Sequence, residues 1–207
     1  MDMKLKVKVY SDYVCPFCFL GKDQFEKAME GKEVDVEWMP YELRPRPSEQ
    51  LDPANDPVKS ELWKNAISPR AKAWNIDMKL PDVSPHPYTD LAHQGFLYAR
   101  DMGKGADYNK RVFKAFYQED KNIGEIDVLA KLAAEVGLDE AEFQKALVSG
   151  KYQEAHQQAL AHAYEEAQIT SVPTFLIGEE RIEGAASKEV FEQVIDSELK
   201  KIKNLRR

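Results

Sequence analysis

Cys15 and Cys18 are the only cysteines in the chain, and Pro16 and Phe17 between them complete a C-P-F-C tetrapeptide. Two thiols at this spacing can close into a disulfide and reopen, so the chemistry open to them is thiol–disulfide exchange. An alternating apolar run, Leu5, Val7 and Val9, precedes the pair, and Phe19, Leu20, Phe25, Ala28 and Met29 follow it with helical spacing. A strand is therefore expected to deliver Cys15 to the first turn of a helix. Free amide N–H groups and the positive end of the helix dipole favour an anion there. On this reading Cys15 ionises well below the range of a free thiol and serves as an exposed nucleophile. Cys18, one turn further in, attacks the mixed disulfide formed at Cys15. Pro16 suits the first helical turn, where its missing N–H has no partner to lose.

Other uses of two cysteines fit less well. A structural disulfide across two intervening residues restrains little of the unfolded chain. A zinc site normally takes four ligands from closely spaced pairs. The four histidines are His86, His93, His156 and His162, all far along the chain from Cys18, and the last two are on different faces of a helix. Two inert buried thiols are the remaining alternative.

The strand and helix that hold the cysteines belong to a longer pattern. Residues 4–10 alternate as a strand, 15–30 read as a helix ending near Gly31, and Val34, Val36 and Trp38 alternate as a second strand stopping at Pro40. This is a βαβ unit with parallel strands. Near the other end Thr174–Ile177 form a strand, Gly178-Glu179-Glu180 a turn and Arg181–Glu183 a returning strand, after which Ser187 caps a last helix. Between the two halves, residues 50–168 carry almost no strand signal. A proline-rich stretch with Pro45, Pro47, Pro53, Pro57, Pro69, Pro81, Pro85 and Pro87 leads into amphipathic helices marked by Leu91 to Met102, Val112 to Tyr117 and Leu129 to Val136. Asp139 with Glu142 reads as a capping box, and a long helix is expected over Tyr152 to Ala167. The expected division is 1–49 plus 169–207 against an inserted helical domain at 50–168.

Composition bounds the partners. A net charge of −7 argues against a general nucleic-acid binder, and the basic tail Lys200, Lys201, Lys203, Arg206 and Arg207 reads as a solvated helix end. Met1-Asp2-Met3-Lys4 leads straight into a strand with no apolar leader, and nowhere do eighteen apolar residues run together, so a cytoplasmic protein without membrane contact is expected. Glu42 reads as a solvated carboxylate at a strand end in preference to a proton relay for Cys18, and His93 as a helix-packed histidine. Asp12, three residues before Cys15, would work against a thiolate if close.

A βαβ–ββα frame with C-x-x-C on its first helix is the thioredoxin plan, and the chain resembles the DsbA-like thioredoxin superfamily, specifically its FrnE-like branch of dithiol–disulfide oxidoreductases. The resemblance is carried by Ser11-Asp12-Tyr13-Val14-Cys15-Pro16-Phe17-Cys18-Phe19-Leu20-Gly21, where relatives commonly read S-D-x-x-C-P-W-C-Y-I-G. It continues through Trp38 to Pro45, Thr89 to His93, Phe113 to Tyr117, Leu129 to Leu138, Ile169 to Phe175 and Ile182 to Ala185. It implies an α/β thioredoxin fold with an all-helical insertion shaping one wall of a substrate groove. Cys15 and Cys18 are then the catalytic pair, and Pro16, Phe17, Val172 and Pro173 meet the substrate. Val172–Pro173 is implied to be a cis bond facing the cysteines; from the residues alone, a trans proline opening a strand is an equal reading. The implied partners are protein or peptide thiols and disulfides, with no metal, no cofactor beyond the redox-active disulfide, and glutathione as a candidate co-substrate. Two other readings stand beside it. Kappa-class glutathione transferases and 2-hydroxychromene-2-carboxylate isomerases resemble this fold, but usually carry Ser where Cys15 stands and need no second thiol. A holdase-like peptide-binding module would leave the cysteines incidental.

Phe17 bears on redox poise. A histidine at that position can donate a hydrogen bond or positive charge to the Cys15 thiolate and favour the reduced form; Phe17 can do neither. The reduction potential is therefore expected at roughly −170 to −250 mV, between thioredoxin and the strongly oxidising periplasmic enzymes. Equilibration in glutathione buffers, read by mass shift, measures it, and a value near −120 mV would show that the helix start outweighs the dipeptide.

Overall fold

The computed structural model describes residues 4–205. They divide into two compact units, residues up to Tyr41 together with those from Ala163 onward, and Glu42–His162. The first holds a four-stranded mixed sheet. Strand β1 (Leu5–Ser11) runs into helix α1 (Pro16–Met29), and β2 (Val34–Pro40) follows. β1 and β2 are parallel, with Leu5 opposite Val34 and Ser11 opposite Pro40. After the helical unit the chain returns as β3 (Thr174–Ile177), antiparallel to β1 with Val7 opposite Ile177, and as β4 (Glu180–Glu183), antiparallel to β3. The strand order is β2-β1-β3-β4.

The alternation in β1 decides what lies on each face. Leu5, Val7 and Val9 pack with Phe25 and Ala28 of α1, Phe175 and Ile177 of β3, and Phe191 and Ile195 of the last helix. Phe25, Phe175 and Phe191 form a closed aromatic set with centroids 4.6 to 5.5 Å apart. Burying each such ring contributes about 1.5–3 kcal/mol. On the other face Lys6 and Lys8 pair with Asp35 and Glu37 across the parallel ladder. Toward the end of β1 that face also turns apolar: Tyr10 joins Ala163 and Ile169, with Met39, Tyr41, Val172 and Leu176 against them.

The second unit holds helices and loops and, among the described residues, no strand, as expected, with one addition. Residues 57–73, inside the proline-rich stretch, are helix: α2 (Pro57–Leu62), a wide π turn (Trp63–Ile67) and α3 (Ser68–Ala73). The prolines misled because each sits where it breaks nothing. Pro57 opens α2, whose cap Asp56 accepts from the Val58 and Lys59 amides, and Pro69 falls in the first turn of α3. Helices α4 (Asp90–Asp101), α5 (Gly105–Glu119), α6 (Ile126–Glu135) and α7 (Glu140–Val148) follow, with Asp139 capping α7 through the Glu142 amide. Helix α8 (Gln153–Ala161) continues as a π segment to Glu166, and α9 (Lys188–Leu205) closes the chain. Tyr108, Val112, Phe113, Phe116, Leu129, Leu132 and Phe143 are buried in this unit. Gly95 leaves room for Tyr108 of α5 against α4, since a Cβ there would collide with the Tyr108 hydroxyl, which donates to the Ala92 carbonyl. Lys200, Lys201 and Lys203 lie on α9, whereas Arg206, Arg207 and the Met1-Asp2-Met3 start lie outside the described residues. Among the described residues no helix is long and apolar enough to cross a membrane.

Glu42 is not solvated as the sequence had implied. It is 4% exposed and its Oε1 lies 2.5 Å from Nε2 of the equally buried His156. His93 stacks on the His156 ring at 5.5 Å. An isolated carboxylate could not be buried this way; the hydrogen bond to His156 is what makes it tolerable.

His86 is buried with neither ring nitrogen bonded to a protein group, its ring edge-on to Phe116. Burial lowers its pKa from 6.5 to about 4, with Asp52 opposing. The unfolded chain therefore takes up this proton at higher pH than the folded one. The stabilisation is complete above pH 6.5, falls as the pH drops toward 4, and levels off below. The loss is about 3 kcal/mol. Urea unfolding at pH 7 and at pH 4.5 should show wild type losing more stability than His86→Leu; equal losses would place the acid sensitivity elsewhere.

Candidate active site

β1 ends at Ser11, and the chain turns through Asp12, Tyr13 and Val14 before α1 begins. The turn is closed by the Cys15 amide, which donates to the Asp12 carbonyl at 3.2 Å. Cys15 is the N-cap of α1, with extended φ −92° and ψ 112°, and no side chain caps the helix there. Its carbonyl accepts from the Cys18 and Phe19 amides at 3.1 and 3.4 Å. Pro16 stands in the first turn as expected, and it and Phe17 are half-buried.

Both thiols are free. The exposed helix start expected for Cys15 is not found: Cys15 is 4% exposed and Cys18 0%. The reason is tertiary, since the residues around the helix start, Ser11 to Val14, are themselves buried. The Cys15 thiol donates to the Val172 carbonyl at 3.5 Å, across 157 residues of sequence. Val172–Pro173 is cis. The loop is tied down on both sides, by the Gly184 amide donating to the Pro173 carbonyl at 2.7 Å and by the Thr174 hydroxyl donating to the Ser171 carbonyl at 2.7 Å. Gly21 lets α1 lie against it, because a Cβ at that position would sit 3.2 Å from Pro173 Cγ and 3.3 Å from Phe175 Cζ. Cys15, Cys18, Val172 and Pro173 are thus brought to one place by the ββα half folding onto the βαβ half.

The two sulfurs have unlike surroundings. Burial pushes the Cys18 thiol well up from its ordinary pKa, and the Cys15 sulfur beside it adds to the rise. The Asp12 amide and the Ser11 hydroxyl oppose it. Asp12 acts on Cys18 through its backbone amide. Its carboxylate is 1% exposed, and after burial it is the second cause holding the Tyr41 hydroxyl above its ordinary value. Ser11 and Tyr41 were not singled out from the sequence; the S-D step before the cysteines is the only signal that pointed at Ser11. Among the described residues no three His, Cys, Asp or Glu side chains are grouped so as to hold a metal ion. Glu42, His93 and His156 meet one another within the helical unit.

The sequence pattern of the DSBA-like thioredoxin domain family matches residues 6–196, nearly the whole chain. The protein belongs to that family. The Bacillus subtilis (strain 168) protein YwbO, described as uncharacterized, is 60% identical over 199 residues, covering 96% of this chain and all of that one. Solved DsbA-like structures share the fold. The probable DsbA oxidoreductase SCO1869 from Streptomyces coelicolor superposes with a TM-score of 0.80 at 20% identity, covering 94% of this chain and 90% of the other. The cytosolic disulfide reductase DsbM from Pseudomonas aeruginosa, solved with GSH, does so at 0.71 and 20%, covering 98% and 100%. A 2-hydroxychromene-2-carboxylate isomerase reaches 0.75 at 20%, covering 97% and 98%.

With Cys18 held as a thiol and wholly enclosed, Cys15 is expected to be the group that reacts with an electrophile. Brief iodoacetamide treatment of the reduced protein at neutral pH, followed by peptide mass mapping, should find label on Cys15 first. Label on Cys18 first would reverse the two roles.

Proposed function

We propose that this DsbA-like protein is a thiol–disulfide oxidoreductase of the FrnE-like branch, exchanging disulfides with protein or peptide substrates through a mixed disulfide at Cys15. The observation that carries this reading is the 3.5 Å contact from the Cys15 thiol to the Val172 carbonyl. It sets the thiol against a backbone acceptor just ahead of β3, where an extended peptide can add its own N–H groups. In the free protein the thiol occupies that carbonyl. Once the sulfur is committed to a substrate, a substrate amide can take its place.

In the reducing direction the Cys15 sulfur attacks a substrate disulfide, forming one S–S bond and releasing the first substrate thiolate. Cys18 then attacks Cys15, the Cys15–substrate bond breaks, and the second substrate thiolate leaves and is protonated. The enzyme dithiol has lost two electrons and the substrate disulfide has gained them. Two glutathione molecules, oxidised to glutathione disulfide, can restore the dithiol. In the oxidising direction the same steps run in reverse, and the potential relative to the compartment sets which prevails. The likeness to a cytosolic reductase solved with GSH supports glutathione as co-substrate and a cytoplasmic setting. The fold shared with the isomerase favours a second reading, a glutathione-dependent isomerase. That chemistry has no use for Cys18.

Insulin reduction by wild type, Cys15→Ala and Cys18→Ala separates these readings. Wild type should accelerate insulin precipitation, Cys15→Ala should lose about a hundredfold or more of that rate, and Cys18→Ala should accumulate the mixed disulfide. Reduction that survives in Cys15→Ala would overturn the oxidoreductase reading. Glutathione-dependent isomerisation of a hydroxychromene carboxylate, undiminished in Cys18→Ala, would put the isomerase in its place.

A further inference from the structure

The sheet ends at β4, and the hydrogen bonds around that strand fix which of its backbone groups are used. The Gly184 amide donates to the Pro173 carbonyl at 2.7 Å, so the bonded positions between β3 and β4 are Phe175 with Ile182 and Ile177 with Glu180. The Gly178 amide donates to the Lys6 carbonyl at 3.1 Å, which sends Thr174 and Leu176 of β3 toward β1 and agrees with this alternation. Arg181 and Glu183 therefore turn their backbone N–H and C=O groups away from the sheet. Both residues are exposed, and among the described residues no strand lies beyond them. Their side chains share the face opposite Ile182, which packs toward the core, and Arg181 Nε donates to Glu183 Oε1 at 2.8 Å.

An open edge of this kind accepts another strand, and its side chains say which. In a twofold antiparallel pairing, Arg181 set opposite Arg181 of a second copy, or Glu183 opposite Glu183, places like charges together, which is unfavourable. The register centred on Ile182 does the reverse. It brings Arg181 opposite Glu183 of the second copy and Glu183 opposite Arg181, and these are the residues whose backbone groups are free to bond. With the ion pair already present in each chain, the charges then alternate around the twofold axis, and Glu180 meets Gly184. The other edge of the sheet lacks this fit. The Leu5 amide donates to the Glu33 carbonyl and the Tyr41 amide to the Ser11 carbonyl, so Val34, Val36 and Trp38 of β2 face outward. The register centred on Val36 puts Asp35 opposite Glu37, and these carboxylates are already paired with Lys6 and Lys8.

We propose that β4 is the contact surface of a homodimer. The β4 strands of two copies pair antiparallel about Ile182 and join the two sheets into one, with Arg181 and Glu183 of each copy holding their counterparts in the other. The contact is isologous, so it uses up this edge on both copies and the assembly stops at two. It is independent of the exchange chemistry assigned to Cys15 and Cys18.

Sedimentation equilibrium of the full chain over about 1 to 300 μM tests this. Wild type should show a monomer–dimer equilibrium. Arg181→Glu or Glu183→Arg alone turns both cross-strand pairs repulsive and should raise the dissociation constant about tenfold or more. The double variant Arg181→Glu/Glu183→Arg puts opposite charges back in register and should return to within about threefold of wild type. An equimolar mixture of the two single variants should form a mixed dimer at concentrations where each alone is monomeric, which a merely misfolded variant could not do. A wild type that stays monomeric over the whole range, or that grows beyond a dimer, would overturn the proposal. So would single variants that dimerise as wild type does, or a double variant and a mixture that are no tighter than the single variants.

Discussion

Val7 and Val9 of β1 face Ile177 and Phe175 of β3 across an antiparallel ladder, and the same valines lie in the core with Phe25 of α1. This pairing joins the two ends of the chain. With Phe25, Phe175 and Phe191 in mutual contact, the start of α1 and the segment ahead of β3 cannot move apart without opening the aromatic set. The 3.5 Å contact between Cys15 and Val172 follows from packing at the opposite end of the same elements. The geometry of the site therefore rests on the core beneath it. Residues that never touch a sulfur, such as Gly21 where α1 meets Pro173, hold its dimensions.

The same packing gives two chemically identical side chains different surroundings. Cys15 sits at the N-cap with its thiol on a carbonyl. Cys18 is enclosed, and burial raises its pKa. A pair in which both thiols ionised readily would compete for the same electrophile. Asp12 bears on Cys18 through its backbone. Its amide favours the Cys18 thiolate, although its side chain is an acid.

The helical unit solves a separate problem, burying polar groups among many aromatic rings. Glu42 and His156 pair in its interior with His93 stacked alongside, and the Tyr108 hydroxyl donates to the Ala92 carbonyl. His86 has no such pairing, and burial keeps it neutral at ordinary pH. Proline is accommodated by position: Pro57 and Pro69 occupy first helical turns, where an N–H has no partner to lose.

Local patterns were enough to read the sheet strands, the helix carrying the cysteines and most of the inserted helices, because side-chain periodicity and caps such as Asp139 are written in neighbouring residues. The C-x-x-C spacing and the V-P-T segment were legible in the same way, and the resemblance they carried named the family that residues 6–196 match. The helix over 57–73 was hidden because proline content does not say which turn a proline occupies. Burial was hidden for a deeper reason. Whether Glu42 meets water or His156, and whether the Cys15 thiol lies open or against the Val172 carbonyl, depend on residues far away in sequence. Periodicity tells which side of an element faces inward; only the folded chain decides what it meets there.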